Sequence, residues 1–258
     1  MNDYQKKPIR IFANYVNGWM GCKKNEHIKF IYSSIHGMAK EFDKYIKRGR
    51  DVPWWYNERA ILGLFAAGIT CDSNNIVLQE YSCVKGKGSK KGKRGRADLW
   101  IWYKGKEYLA EAKAGQNKIQ EKASVSRYIA IRANSYKKPD WKKFKDIAKN
   151  ALKQAKSYIE NKNKWRPDFI LSLCFQTLYC KSGIKDIREA VNSINNRGSY
   201  WRDVSNILTH FDFYGIIILK KKWLNEKKDL SNDKGDVLFN YDRFAYPAMI
   251  FYGLIEEV

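Results

Sequence analysis

An aspartate, a glutamate and a lysine lie close together around one predicted β-hairpin. Asp98, Glu111 and Lys113 occur in the stretch RGRADLWIWYKGKEYLAEAKAG, which covers residues 94–115. The centre of this stretch is Lys104-Gly105, a pair that fits a type I′ turn because glycine readily takes the positive φ required there. Residues equidistant from that turn lie opposite each other, so Asp98 faces Glu111. Lys113 shares a face with Glu111 because side chains alternate with a period of two.

Two carboxylates placed opposite each other call for a cation. Cross-strand Cβ atoms are only about 4.5–5.5 Å apart, and like charges at that distance destabilise a sheet. Mg²⁺ prefers oxygen ligands and is commonly held by one or two carboxylates together with waters and a substrate phosphate. Such an ion polarises a phosphodiester and activates a bound water, and a nearby lysine orients the water or stabilises developing charge. The three side chains therefore predict phosphodiester hydrolysis that depends on Mg²⁺ or Mn²⁺.

Glu58 is a third candidate ligand for the metal. In the segment NERAILGLF it shares a helical face with Ile61, Leu62 and Phe65, so it points toward the core side of its helix. A buried glutamate without a partner is costly. A metal at the sheet would provide that partner.

Helices and strands alternate along the chain around this hairpin. Apolar spacing and turn residues predict, in chain order, helices over 25–47 and 53–67, strands over 75–84, 97–103 and 107–113, a helix over 140–162 and a strand over 168–180. A helix near 184–195, a strand over 211–221 and one or two strands within 237–255 follow. This order predicts an α/β (α+β) fold with a mixed central sheet flanked by helices.

The charge balance indicates a polyanionic partner. With 49 lysines and arginines against 27 acidic residues, the formal net charge is +22. A surplus of this size attracts and steers nucleic acid. No run reaches the roughly 18 apolar residues of a membrane span, and the first residues lack the apolar block of a signal peptide. The five cysteines form no CxxC pair, so we expect reduced thiols and a cytoplasmic location.

A glycine-rich basic run precedes the hairpin. The segment KGKGSKKGKRGR covers residues 85–96 and is predicted to be a flexible loop at the mouth of the site. Flexible cations of this kind position a nucleic acid through its phosphates and do not read bases. The predicted nucleic-acid contacts are Lys85, Lys87, Lys90, Lys91, Lys93, Arg94 and Arg96.

These motifs resemble the PD-(D/E)xK nuclease superfamily, whose restriction-endonuclease-like core has the order helix, three strands, helix, strand (αβββαβ). Asp98 in GRADLW resembles the metal-binding aspartate of that superfamily. Glu111 and Lys113 in AEAKAG resemble its (D/E)xK element. Glu58 resembles the first-helix glutamate common in Holliday-junction resolvases.

A fourth element resembles one branch of the superfamily. Gln154 and Tyr158 in KQAKSY fit the QxxxY motif of the exonucleases found in recombination-repair helicase-nucleases. This chain has no plausible counterpart of the histidine or cysteine-bound cluster that often accompanies the motif. The resemblance implies that Gln154 and Tyr158 act near the catalytic carboxylates.

The resemblance covers residues 53–178 and implies a nuclease core over 53–180. The flanking segments are then a helical N-terminal extension over 1–52 and a C-terminal helix and strand extension over 181–258, packed on the core. It further implies a DNA endonuclease that leaves 5′-phosphate and 3′-hydroxyl ends.

Several alternatives stay open at the level of sequence. Restriction-like, structure-specific, exonucleolytic and RNA-directed activities all fit the same motifs. A catalytically silent nucleic-acid-binding subunit with a nuclease fold would also keep the basic surface. A homodimer is expected if both strands of a duplex are cut, because two-fold symmetry matches that of DNA. Whether a protein partner must activate cutting is a further open question.

Overall fold

One open sheet of nine strands organises the chain. The computed structural model describes residues 9–49, 52–55, 58–71, 74–85, 93–118, 141–159, 166–181, 191, 194, 206–220 and 244–258. The strands are β1 (Ile9–Phe12), β2 (Val16–Cys22), β3 (Ile76–Lys85), β4 (Lys93–Tyr103), β5 (Lys106–Lys118), β6 (Phe169–Lys181), β7 (Phe213–Leu219), β8 (Phe244–Gly253) and β9 (Ile255–Glu257). The α-helices are α1 (Ile28–Gly49), α2 (Glu58–Thr70) and α3 (Trp141–Ser157), and short 3-10 helices cover Asn25–His27 and Pro53–Trp55.

The sheet is mixed and is ordered β1-β2-β7-β8-β6-β5-β4-β3, with β9 also pairing β6. Among the strands described, only β5 and β6 run parallel, and α3 makes the connection between them. A parallel pair needs a long crossover connection of this kind. The meander β3-β4-β5 therefore ends at α3, and β6 joins the two halves of the sheet.

Helices cover both faces of the sheet. Tyr108 of β5 stacks on Phe30 of α1, with ring centroids 4.3 Å apart. The next residue, Leu109, packs with Ala155 and Tyr158 at the end of α3. Successive strand residues point to opposite faces, so α1 and α3 lie on opposite sides of β5. None of the described helices is both long and apolar enough to span a bilayer.

The predicted mixed sheet flanked by helices is confirmed. The three strands of the central meander overlap the predicted ones, but β4 begins earlier, at Lys93, and β5 continues further, to Lys118. The second helix differs from its prediction. Pro53–Trp55 forms a separate 3-10 turn, and α2 begins at Glu58. The reason is tertiary: Trp54 is fully buried, and its carbonyl accepts a hydrogen bond from Thr177 on β6.

The N-terminal segment contains more than the predicted helix. Strands β1 and β2 precede α1, and β2 pairs with β7 along its whole length. The connection between β1 and β2 is held by Asp43 of α1, which accepts hydrogen bonds from the backbone N–H groups of Asn14, Tyr15 and Val16. The helix predicted near 184–195 lies outside the described residues except for two buried helical positions, 191 and 194. Two C-terminal strands, β8 and β9, agree with the predicted one or two.

Two glycines allow α1 and α2 to approach closely. A Cβ atom on Gly37 would lie 2.1 Å from the carbonyl oxygen of Gly68, and one on Gly68 would lie 2.3 Å from the backbone nitrogen of Met38. Contacts under 3.0 Å require the backbone to move. Because α2 begins with Glu58, this contact also sets the position of a candidate site residue.

We expect Gly68→Ala to lower the free energy of unfolding by about 1–3 kcal/mol, since overpacking forces the two helices apart. The matched control is Gly63→Ala on the same helix, where a Cβ atom meets nothing within 4 Å. Alanine should stabilise that position by about 0.5–1 kcal/mol through helix propensity. Urea unfolding measures both, and equal effects would contradict the close-contact explanation.

Candidate active site

The turn between β4 and β5 has the predicted geometry. Lys104 has a φ of 49° and Gly105 a φ of 81°, and a type I′ turn requires positive φ at both positions. Pairing then follows the predicted register up to the pair Leu99–Ala110. The two candidate carboxylates come one residue further along their strands.

Beyond that pair, β4 and β5 separate. β4 continues along β3, while β5 continues along β6. Carboxylates take over as acceptors for the exposed edge of β5. The N–H of Ala112 donates to Asp98 Oδ2 (2.7 Å), and the N–H of Ala114 donates to Glu58 Oε2 (2.8 Å). Both carboxylates are therefore fixed by backbone hydrogen bonds at the point where the strands diverge.

Glu58 reaches this point from the start of α2. Ile61, Leu62 and Phe65, on the same helical face, are buried, and the predicted orientation of Glu58 toward the core side agrees with its contact to β5. Because that contact lies two residues beyond Ala112 on the same strand edge, Glu58 flanks the Asp98–Glu111 pair.

Glu111 is the most constrained group of the site. Its side chain is fully buried, and burial raises its pKa to about 8. The hydrogen bond from Tyr158 lowers that pKa, while the neighbouring carboxylate of Asp98 raises it. Glu111 Oε2 has no hydrogen-bond partner, and Lys113 Nζ lies 3.8 Å away from it. Glu111 therefore favours the protonated state unless a cation joins it.

The hydroxyl of Tyr158 has two acceptors but only one proton. It lies 2.5 Å from Glu111 Oε1 and 2.8 Å from the carbonyl oxygen of Arg96. When Glu111 is protonated, its own O–H can donate to Tyr158, and Tyr158 then donates to Arg96. When Glu111 ionises, Tyr158 must donate to the carboxylate, and the carbonyl loses its partner. Tyr158 therefore satisfies the Arg96 carbonyl and Glu111 Oε1 together only when Glu111 carries the proton, although burial remains the main cause of the raised pKa of Glu111.

Gln154 and Tyr158 are both part of this network. Gln154 Nε2 donates to the Tyr158 hydroxyl (3.2 Å), one helical turn away. Burial and the bond to Glu111 raise the pKa of Tyr158, so the phenol keeps its proton. The structure thus brings together Asp98, Glu111, Lys113 and the two residues of the QxxxY element.

The basic run is only partly described. Lys87, Lys90 and Lys91 lie outside the described residues. Lys85 belongs to β3 and pairs with Lys93 of β4, and the strand continues through Arg94 and Arg96. The prediction of a loop over the entire run was wrong for these four residues, because backbone pairing of β3 with β4 extends into it.

The sequence analysis missed two functional candidates, Glu80 and Arg59, whereas Arg96 was among the predicted nucleic-acid contacts. Glu80 of β3 forms ion pairs with Arg59 of α2 (3.7 Å) and with Arg96 of β4 (3.5 Å). It stands across from Asp98, between the pairs Gln79–Leu99 and Tyr81–Ala97. Predicting that Glu80 lies across from Asp98 requires knowing the register in which β3 pairs with β4. The long glycine-rich connection between these two strands does not fix that register.

The carboxylate oxygens of Asp98 and Glu111 suit a hard cation whose remaining ligands are waters and substrate oxygens. No group of three or more histidine, cysteine, aspartate or glutamate side chains in the described part of the chain could hold a metal alone. Asp98 and Glu111 form a pair, and the unpartnered Oε2 of Glu111 is buried beside Lys113. Two carboxylates are what Mg²⁺ commonly uses when waters and a phosphate complete its coordination. The pair therefore fits the predicted metal.

Comparisons of this chain with protein-family models, with curated proteins and with solved structures found no match.

We expect Glu111→Gln to stabilise the metal-free protein at alkaline pH. The folded pKa of about 8 lies above the ordinary value of 4.5, so the stability that protonated Glu111 contributes is complete below pH 4.5 and is lost as pH rises through 8. Glutamine does not titrate, so the variant loses no stability as the pH rises. Its free energy of unfolding should exceed that of the wild type by about 2–4 kcal/mol at pH 9.

Thermal unfolding in chelator from pH 5 to pH 9 measures this difference. The control is Glu257→Gln, which removes an exposed carboxylate from β9. A difference between the Glu111 variant and the wild type that does not grow with pH would contradict the assignment. Added Mg²⁺ should raise the stability of the wild type selectively, because a ligand that binds only the folded state stabilises it.

Proposed function

We propose that this protein is a metal-dependent nuclease with a PD-(D/E)xK-type core, and that DNA is its substrate. The observation that carries the proposal is the pair formed by Asp98, which is half-buried, and Glu111, which is fully buried, at the divergence of β4 and β5, with Lys113 Nζ 3.8 Å from Glu111 Oε2. The order α2-β3-β4-β5-α3-β6 supports it, because it follows the αβββαβ order of that core. Two opposed carboxylates serve no purpose at a purely phosphate-binding surface.

The carboxylates of Asp98 and Glu111 would hold Mg²⁺ or Mn²⁺, and Glu58 would contribute through a water. The ion supplies Lewis-acid polarisation of the phosphodiester and a bound water of lowered pKa. Asp98 remains fixed on the N–H of Ala112, so the acceptor geometry is formed before a ligand arrives. Such preorganisation avoids paying for reorganisation during the reaction.

Glu111 must release its proton for a metal to bind. The Tyr158 hydroxyl lies 2.5 Å from Glu111 Oε1 and can donate to the ionised carboxylate, and Gln154 in turn donates to Tyr158. These two residues are positioning residues that keep Oε1 occupied and leave Oε2 for the ion. Metal binding should therefore be coupled to proton release and strengthen as pH rises toward 8.

Lys113 is the candidate for direct action on the phosphate. Its side chain is about two-fifths exposed (39%), whereas that of Glu111 is fully buried. Lys113 therefore reaches from the buried Glu111 carboxylate to solvent, where a substrate would arrive. An ammonium group there can orient the attacking water or stabilise charge on the phosphate oxygens.

Cleavage of labelled duplex, single-stranded, branched and circular DNA and of RNA, with Mg²⁺, with Mn²⁺ and with chelator, tests the proposal. We expect metal-dependent cutting of DNA by the wild type. Lys113→Ala and Asp98→Asn should lower the rate by about 100-fold or more.

Lys106→Ala is the matched control, since it removes one cation from the other end of β5, where Nζ lies 5.2 Å from the centre of the Phe169 ring. If the Lys106 and Lys113 variants lose equal amounts of cleavage rate, Lys113 contributes only its positive charge and does not act on the scissile phosphate. Salt-sensitive binding with no cutting under any metal would overturn the nuclease and favour the silent binding subunit. Faster cutting of RNA than of DNA would show that the proposed substrate is wrong and that the enzyme acts on RNA.

A further inference from the structure

The backbone of β3 departs from regular geometry directly across from Asp98. Gln79 pairs with Leu99 and Tyr81 pairs with Ala97, but no pairing joins Glu80 to the residue between them. Glu80 has a φ of 53°, in the left-handed region that costs a non-glycine residue about 1–2 kcal/mol. Such strain occurs preferentially where a side chain has a function to perform.

Two arginines from different elements meet the carboxylate of Glu80. Arg59 Nη2 lies 3.7 Å from Oε1, and Arg96 Nη1 lies 3.5 Å from Oε2. The two guanidinium groups therefore flank one carboxylate, and the group carries a net positive charge. These distances are too long for strong hydrogen bonds, so N–H donors remain free on side chains that are 83% and 70% exposed.

The same contacts that build the acidic site also place the arginines. Arg59 follows Glu58, whose carboxylate is bound by the N–H of Ala114. Arg96 lies two residues before Asp98, and its carbonyl accepts a hydrogen bond from Tyr158. An anion held by this arginine pair would therefore lie near the acidic site, since Arg59 adjoins Glu58 and Arg96 lies two residues from Asp98.

We propose that Arg59 and Arg96, held side by side by Glu80, bind one phosphodiester of the DNA backbone adjacent to the one that is cut. This inference rests on the proposed nuclease function and adds a subsite to it. Guanidinium N–H groups match phosphate oxygens in geometry, and two of them on one phosphate fix the register of the strand. Glu80 acts as a positioning residue, since it offsets the repulsion between the two arginines.

Binding measured without cleavage tests the subsite. Fluorescence anisotropy with a labelled DNA duplex of about 20 base pairs, in chelator and over about 0.05 to 0.3 M salt, gives affinity and its salt dependence. Arg59→Ala and Arg96→Ala should each weaken binding about 3- to 10-fold. The slope of log K against log salt is negative, and in the double variant its magnitude should fall by about 0.9, the value for one phosphate. The matched control is Arg10→Ala on β1, an exposed arginine at the opposite edge of the sheet.

Affinities of both single variants equal to that of Arg10→Ala would overturn the subsite. A slope lowered by about 1.8 in the double variant would also overturn it, because the arginines would then contact separate phosphates. Glu80→Gln should weaken binding even though it removes a negative charge. Stronger binding by that variant would show that Glu80 competes with DNA and would overturn its positioning role.

The two proposals can fail separately. If the wild type cuts DNA but the arginine variants bind like the control, the nuclease stands and the subsite falls. If the arginine variants lose affinity as expected but no metal supports cutting, the phosphate subsite stands on a protein that is not a nuclease.

Discussion

Burial of the Glu111 carboxylate beside Asp98, where two strands part, is the constraint on which the rest of the site depends. As long as β4 and β5 are paired, their backbones satisfy each other, and beyond Leu99–Ala110 that partnership ends. Asp98 and Glu58 then accept the N–H groups that β5 would otherwise leave unpaired. Glu111 is left fully buried between Tyr158 and Lys113. Folding therefore produces a negative site that only a proton or a cation can neutralise.

The surface around this site has the opposite sign. A chain with a net charge of +22 concentrates polyanions at its surface, whereas the carboxylates of the site, when ionised, repel them at short range. A divalent cation, as proposed here, would reconcile these two fields, because it would neutralise the carboxylates and present positive charge to a phosphate. The exposed arginines on Glu80 extend that positive surface to the edge of the site. Long-range attraction and local chemistry thus depend on separate sets of residues.

The local part of the site could be predicted from sequence and the long-range part could not. The Lys104-Gly105 turn fixes its own register, so the approach of Asp98 to Glu111 follows from a two-residue loop. Gln154 and Tyr158 were reached through their resemblance to a motif, and the contact of Tyr158 with Glu111 depends on how α3 packs. Strand β2 was missed because its partner β7 is distant in sequence and because Gly18 and Gly21 weaken its strand pattern. The role of Glu80 depends on a register that no local signal sets.

The position of β8 in the sheet has a consequence for how the chain folds as it is synthesised. β6 ends at Lys181, yet its antiparallel neighbour β8 begins at Phe244, and β8 also separates β6 from β7. The meander, α3 and β6 can assemble from contiguous chain, while one edge of β6 waits for residues that leave the ribosome later. During that interval the nascent protein presents the unpaired edge of an apolar strand, which is a template for wrong pairing. The sheet is therefore completed only after residues 244–253 have been synthesised.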